Sequence, residues 1–275
     1  NETGHVPSHQ EKIDFFMFAE SYLEEYPCKD GRMIESAIKK FKQVVDNPKL
    51  KISDITPKHM EMFKNFLIHK AGLKGETPHN YFTRFKKVLK AAKVEGFIKV
   101  LPSEDIRFTN PNKDDTLKKQ VLDEDELQIL ANTKCGNPDV KRAFLFACYT
   151  SLGFAEIVDL KWVNINKGRL ITHRNKTGEL INNRLNPTAI SILGEPKRKE
   201  DYVFDLQNLS VNGVNKTVKN WVIRASIDKH ITFYCARHTF ACLLLLSGAN
   251  LKTVADAMGH SSTKSTLKYL NFVNK

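Results

Sequence analysis

Apolar residues recur at helical spacing through the first hundred positions of the chain. Ile13, Phe16, Met17, Phe18 and Leu23 predict an amphipathic helix over 13–26, ended by Pro27. Met33, Ile34, Ala37, Ile38, Phe41, Val44 and Val45 predict a second over 31–46. Thr56-Pro57 pairs a capping residue with a proline suited to the first helical turn. It starts a third helix, carried by Met60, Phe63, Phe66 and Leu67 to about Lys70. Thr77-Pro78 repeats that entry signal for a fourth, to about Val94, with Tyr81, Phe85, Val88, Leu89 and Ala92 as its apolar face. Four helices with short connections make an all-helical domain over 11–101, after a polar tail at 1–10.

The pattern lapses at 102–119, where Pro, Asn and mixed charge predict an extended linker. A second domain, 120–275, opens on Asp123 and Glu126, which are spaced close to a capping box. An apolar helix follows from about Pro138 to Leu152. Residues 163–166, 169–174 and 179–185 then alternate as short strands, with a turn at Asn175-Lys176-Thr177-Gly178. Pro187 starts another helix, 202–204 is a short extended piece, and Val211 to Ala225 is helical around Val214, Val218 and Trp221. Near the C-terminus an apolar run from Phe240 to Leu246 stops at Ser247-Gly248. Asn250 caps the next helix, which ends at Gly259 with His260 just beyond, and a short helix from Ser262 carries Tyr269 near its end. The fold class is mainly α, with a small antiparallel β-sheet in an α+β second domain.

Charge narrows the partner. The 275 residues carry a formal net charge of +12 with a pI near 9.4, which favours a polyanion such as nucleic acid. The excess is local: residues 11–57 hold 8 basic and 9 acidic residues, residues 58–99 hold 10 and 3. The fourth helix alone carries Arg84, Lys86, Lys87, Lys90 and Lys93. That face suits a DNA backbone or groove, and a solvated basic face is the plainer reading of it. Five cysteines in odd number, none in a C-x-x-C pair, suit reduced thiols in a cytoplasmic protein and give neither a disulfide framework nor a zinc site. No stretch has the length of a membrane span, and no secretory signal is visible.

The C-terminal patterns set three chemically distinct groups at the ends of successive helices. Arg237 forks onto phosphate oxygens, His260 donates or shuttles a proton, and Tyr269 is a potential covalent nucleophile. Converging on one point, they suit phosphoryl transfer on a phosphodiester.

Arg237-His238-Thr239-Phe240-Ala241, Gly259-His260 and Tyr269 fall at the spacing of the C-terminal signature of tyrosine recombinases, the phage integrase family, and the chain resembles that family over nearly all of residues 11–270. Thr77 to Tyr81 resembles the helix entry of the family's SAM-like core-binding domain, and Lys176-Thr177 its β-hairpin lysine. Thr150, Leu152, Glu156 and Leu160 match its T-G-L-R-x-x-E/D-x-x-x-L segment. The run 236–241 and the segment around Phe144 to Cys148 resemble, more narrowly, integrases of Bacteroides-type mobile elements. A start at Asn1 is read as non-native, since many such integrases begin with a further arm-binding domain.

The resemblance implies a tyrosine recombinase fold whose two domains clamp a duplex through a linker. It also implies a tetramer on paired double-stranded DNA sites, accessory DNA-bending or excision proteins, and residence in the bacterial cytoplasm at the nucleoid. Tyr269 would attack the phosphodiester to form a 3′-phosphotyrosine, a link that stores the bond energy, so that neither ATP, a metal nor another cofactor would be required. Arg237, His260 and Tyr234 would stabilise the charge that builds, Lys176 would protonate the leaving 5′-oxygen, and Glu156 would orient its neighbours. Thr77, Tyr81, Arg84, Lys86, Lys87, Lys90 and Lys93 would contact DNA.

Two positions depart from the pattern. Gly153 stands where the family has its first catalytic arginine, and Tyr234 where it has a histidine. Arg174 lies two residues before Lys176, so a strand reaching that far would turn both side chains to one face and let Arg174 supply the missing guanidinium. Three functions stay open on the sequence: an active integrase with a rearranged pocket, a catalytically silent DNA-binding relative, and a type IB topoisomerase-like enzyme.

Overall fold

A computed structural model describes residues 13–26, 30–109 and 120–273. The expected tail, Pro27, Cys28 and residues 110–119 of the expected linker lie outside them. The chain divides into two compact units between Asp114 and Asp115.

In the first unit, α1 (Phe15–Glu25), α2 (Gly31–Lys42), α3 (Pro57–His69) and α4 (Thr77–Val94) surround a cluster of phenylalanine rings. Phe41 and Phe85 lie 4.3 Å apart, and Phe63 and Phe85 4.9 Å apart. The Asp14 carboxylate caps α1, accepting from the backbone N–H of Phe16 at 2.8 Å. Counting 100° per residue from this cap puts positions 15, 18, 19 and 22 on one side and Met17 opposite. Met17 is accordingly 70% exposed, outside the face expected for it, and Phe15 is buried in its place. α2 stops at Lys42, short of the expected 46, and Val45 reaches the core from the following turn. Thr56 caps α3 as expected, reciprocally with His59. α4 differs: Thr77 is its first residue and Glu76 holds the cap position without a side-chain bond. Phe82 joins the buried face, while Tyr81 is half-buried. Phe108, from the expected linker, packs 5.1 Å from the Phe82 ring.

The second unit is built on α6 (Pro138–Thr150), which is buried at Val140 and at every position from Ala143 to Cys148. α5 (Glu124–Asn132), α8 (Pro187–Leu193), α9 (Val211–Arg224) and α10 (Phe233–Leu246) pack on it. The capping box of α5 forms, with the Asp123 N–H donating to Glu126 and the Glu126 N–H to Asp123. α7 (Phe154–Val158) leads to an antiparallel sheet in the order β1 (Ile165–Asn166), β2 (Arg169–His173), β3 (Leu180–Arg184). Residues 163–164 of the expected first strand belong instead to a 3-10 turn, Trp162–Asn164. Leu170 and Ile181 are buried and their neighbours exposed, so the sheet turns one face to the core. After α11 (Leu251–Ala257), the helix expected from Ser262 proves to be two 3-10 turns, 263–265 and 267–269, followed by α12 (Leu270–Val273). Among the described residues no helix is long and apolar enough to cross a membrane.

Candidate active site

Arg237 is placed by the burial of α10. This helix begins at Phe233 rather than at the arginine, and Phe233, Cys235, Ala236, Ala241 and Cys242 are all buried. Arg237 sits in its second turn, 3% exposed. Its Nη1 donates to the Ser151 carbonyl at 2.7 Å and its Nη2 to the Met258 carbonyl at 2.8 Å. Both acceptors come from helix ends, where carbonyls lack helical partners and favour a cation. Ser151 follows α6 in a left-handed conformation (φ 65°), and its hydroxyl donates to the Ala257 carbonyl at 3.1 Å. The guanidinium is thus fixed between two loops.

A second guanidinium comes from the sheet. Leu170 and Thr172 point inward along β2, and the same alternation turns Arg174 inward although the strand stops at His173. The Arg174 side chain is 13% exposed and pairs with the buried Glu156 carboxylate, Nη1 to Oε1 at 3.1 Å. Glu156 also accepts from the Gly153 N–H at 2.9 Å and the Asn175 N–H at 3.2 Å. Two glycines leave room for this arrangement. A β-carbon on Gly259 would stand 2.9 Å from Arg174 Cγ, and one on Gly153 would stand 2.6 Å from Glu156 Oε2 and 3.9 Å from Arg174 Nη1. Among the described residues, Nη1 has no hydrogen-bond partner apart from its ion pair with Glu156.

Tyr269 is 1% exposed, held by an apolar cluster that includes Val121, Cys242, Val254 and Met258. Its hydroxyl lies 2.8 Å from Nδ1 of His238, itself 2% exposed. Tyr234, one turn before His238 on α10, packs edge-on against that imidazole at 4.8 Å and is 50% exposed. His260 is half-buried, with Nδ1 2.8 Å from the Thr266 hydroxyl. Lys268 places its ammonium 5.1 Å from the centre of the Tyr269 ring.

The electrostatics of these groups are coupled. Burial and the Arg174 charge pull Arg237 down to about 10, so it remains a cation at neutral pH. Burial, Arg237, Lys268 and Arg174 pull His260 down to about 4, which leaves it neutral there. Lys268 is lowered by burial and by Arg237. Burial pushes the Tyr269 hydroxyl up, against the attraction of Arg237.

The structure thus brings together Arg237, Arg174, Glu156, His260, Tyr269 and, at the surface, Tyr234. Lys176 is exposed in the turn between β2 and β3. It does not share a face with Arg174, because β2 ends before the turn and only Arg174 lies inside. The proposed DNA-contacting residues are on α4 of the first unit. Arg84 and Lys87 both pair there with Asp30, at 2.6 and 2.7 Å, Lys86 donates to the Ser103 carbonyl, and Lys90 and Lys93 are exposed. His238 and Lys268 carry no role in the sequence pattern, although each is the direct neighbour of one of its residues, Arg237 and Tyr269. Among the described residues no group of three or more His, Cys, Asp or Glu is placed to hold a metal ion.

Residues 120–274 match the model of the phage integrase family, and residues 14–108 that of the phage integrase SAM-like domain. Tyrosine recombinase XerC of Haemophilus influenzae is 29% identical over 218 residues, spanning 74% of this chain and 73% of that protein. Tyrosine recombinase XerD of Listeria monocytogenes is 25% identical over 213 residues, spanning 76% and 68%. A lambda integrase dimer bound to a core site superposes with a TM-score of 0.72 at 19% identity, covering 92% of this chain and 94% of that one. The Tn1549 transposon integrase in complex with circular intermediate DNA gives 0.67 at 18%, covering 93% and 94%. The chain belongs to the phage integrase family and is a tyrosine recombinase, an enzyme of DNA strand breakage and rejoining.

Proposed function

We propose that this recombinase integrates and excises a mobile element of the Bacteroides type, in the bacterial cytoplasm, as a tetramer on paired double-stranded DNA sites. Lambda and Tn1549 integrases, to whose DNA complexes the fold is similar, supply the analogy. The observation that carries a catalytic reading is an unbalanced positive cluster. Arg174, Arg237 and Lys268 act on one another or on His260, and among the described residues one buried carboxylate, Glu156, stands against them. Such a cluster is stabilised by an anion, and a DNA phosphate supplies one.

In the proposed reaction the Tyr269 oxygen attacks the phosphorus in line, an O–P bond forms, and the bond to the 5′-oxygen breaks. Arg237 and Arg174 hold the non-bridging oxygens, with Arg174 doing the work of the arginine missing at Gly153. Neutral His260 donates an N–H to the same group, and the exposed Tyr234 hydroxyl donates from the surface. Lys176, on its turn, gives a proton to the leaving oxygen. Glu156 positions Arg174 and the Asn175 backbone. The 5′-hydroxyl of a second strand then attacks the phosphotyrosine and reverses the chemistry. The buried Tyr269 hydroxyl is uncovered when DNA docks. On the first unit, Thr77, Tyr81 and the basic residues of α4 contact the duplex.

Incubation with a nicked suicide duplex carrying the element's end sequence tests this. The parent protein forms an SDS-resistant adduct whose DNA-bearing peptide contains Tyr269, and Tyr269→Phe forms none. Tight DNA binding without an adduct points to a silent relative instead.

A further inference from the structure

We infer that His238 is the general base for the attack by Tyr269, an inference that rests on Tyr269 being the nucleophile. A phenol buried to this degree gives up its proton only to a group already in contact with it. Nδ1 of His238 is in contact, 2.8 Å from the hydroxyl. Imidazole is a base of the right strength near neutral pH. Tyr234 cannot serve in the family histidine's position, since a phenol is a poor base there, and its ring is half in solvent. It packs instead on the imidazole, rings 4.8 Å apart at 84°, and holds the base toward Tyr269, whose ring lies 5.5 Å away. Among the described residues, Tyr234, Arg237 and Cys242 on α10 act on Tyr269, Lys268 lies against its ring, and Arg237 and Lys268, with Arg174, act in turn on His260 after α11.

The proton ledger closes with Lys176. As the bond from the Tyr269 oxygen to phosphorus forms, the phenolic proton passes to Nδ1 of His238. As the bond to the 5′-oxygen breaks, that oxygen takes a proton from Lys176. In the second half the two transfers run backwards, and His238 returns its proton to the departing tyrosine oxygen.

The rate of adduct formation on the nicked duplex is to be measured in a single turnover from pH 5 to 9, for the parent and for His238→Asn. Asparagine places an oxygen near the Nδ1 position and takes up no proton. The parent rate should rise with pH through an acid limb and level off. His238→Asn should be slower by about 10²- to 10⁴-fold, the range of general base catalysis, and lack that limb, with DNA affinity unchanged. A variant within three-fold of the parent, or a slow one that keeps the limb at the same pH, overturns the assignment. Should His238→Asn not fold, ¹⁵N NMR of the parent decides: Nδ1 must be unprotonated at pH 7.5, and an Nδ1–H there overturns it. A parent that forms no adduct at all removes the nucleophile reading and this one together, and the parent lane separates that outcome from failure of His238 alone.

Discussion

Gly153 and Arg174 occupy complementary halves of one position. The terminal nitrogen of Arg174 lies 3.9 Å from where a β-carbon on Gly153 would be, and the carboxylate that pairs with it also accepts the Gly153 N–H. The family arginine is absent from the backbone site where the family pattern has it, and a guanidinium reaches the same neighbourhood from the sheet.

Glu156 holds that arrangement, so Glu156→Gln should loosen it. The amide keeps one acceptor oxygen for the Gly153, Asn175 and Arg174 donors now shared between two. We expect a loss of about 1–3 kcal/mol, the cost of a buried group left without its partner, read by urea denaturation, with a larger proportional fall in adduct formation than in DNA affinity.

Gly259→Ala should cost stability twice over. Residue 259 is left-handed at φ +60°, where a side chain costs about 1–2 kcal/mol. The added methyl would also press on the Arg174 stem at 2.9 Å. A melting curve checks the first, and the adduct rate of the variant, lower than the parent's, checks the second.

His260 should give stability a distinct pH dependence. Its folded value of about 4 lies below the 6.5 of an unperturbed histidine. The unfolded chain therefore binds the extra proton first, and the contribution is intact above pH 6.5 and lost as pH falls from there toward 4. His260→Gln should flatten that part of the curve of unfolding free energy against pH. An unchanged curve would show that His260 titrates normally.

These effects mark where the sequence was legible. The four helices of the first unit follow from apolar spacing and from Thr56-Pro57, and Arg237, Gly259-His260 and Tyr269 stand out by their spacing. The strand period points to Arg174 and does turn it inward, but the strand's early end at His173 takes Lys176 out of the same face. A side chain's partner across the fold leaves no periodic trace. His238 is linked to a residue thirty-one positions away, and the Asp30 pairs with Arg84 and Lys87 depend on how α2 packs against α4. Where an amphipathic face begins depends on the cap, which is why α1 buries Phe15 and leaves Met17 in solvent.

The same Asp30 pairs divide the basic residues of α4. Lys90 and Lys93 are exposed, whereas Arg84 and Lys87 are tied down. Removing Lys90 or Lys93 should weaken DNA binding across sequences and reduce the slope of log K against log salt by about 0.9 each. Asp30→Asn should tighten binding at low salt by releasing two cations. Titrations by fluorescence anisotropy at several salt concentrations measure both.

The central claim is that Arg174 does the work of the missing arginine, and adduct formation on the nicked duplex tests it most directly. Arg174→Ala should fall about 10²- to 10³-fold, as when other transition-state donors are removed, with DNA affinity retained. Adding Gly153→Arg to that variant should restore much of the loss, because Glu156, freed of Arg174, can move off the new side chain. In the parent the same Gly153→Arg should not help, since its β-carbon would meet the pinned carboxylate at 2.6 Å. An Arg174→Ala protein that forms the adduct at the parent rate would contradict the account.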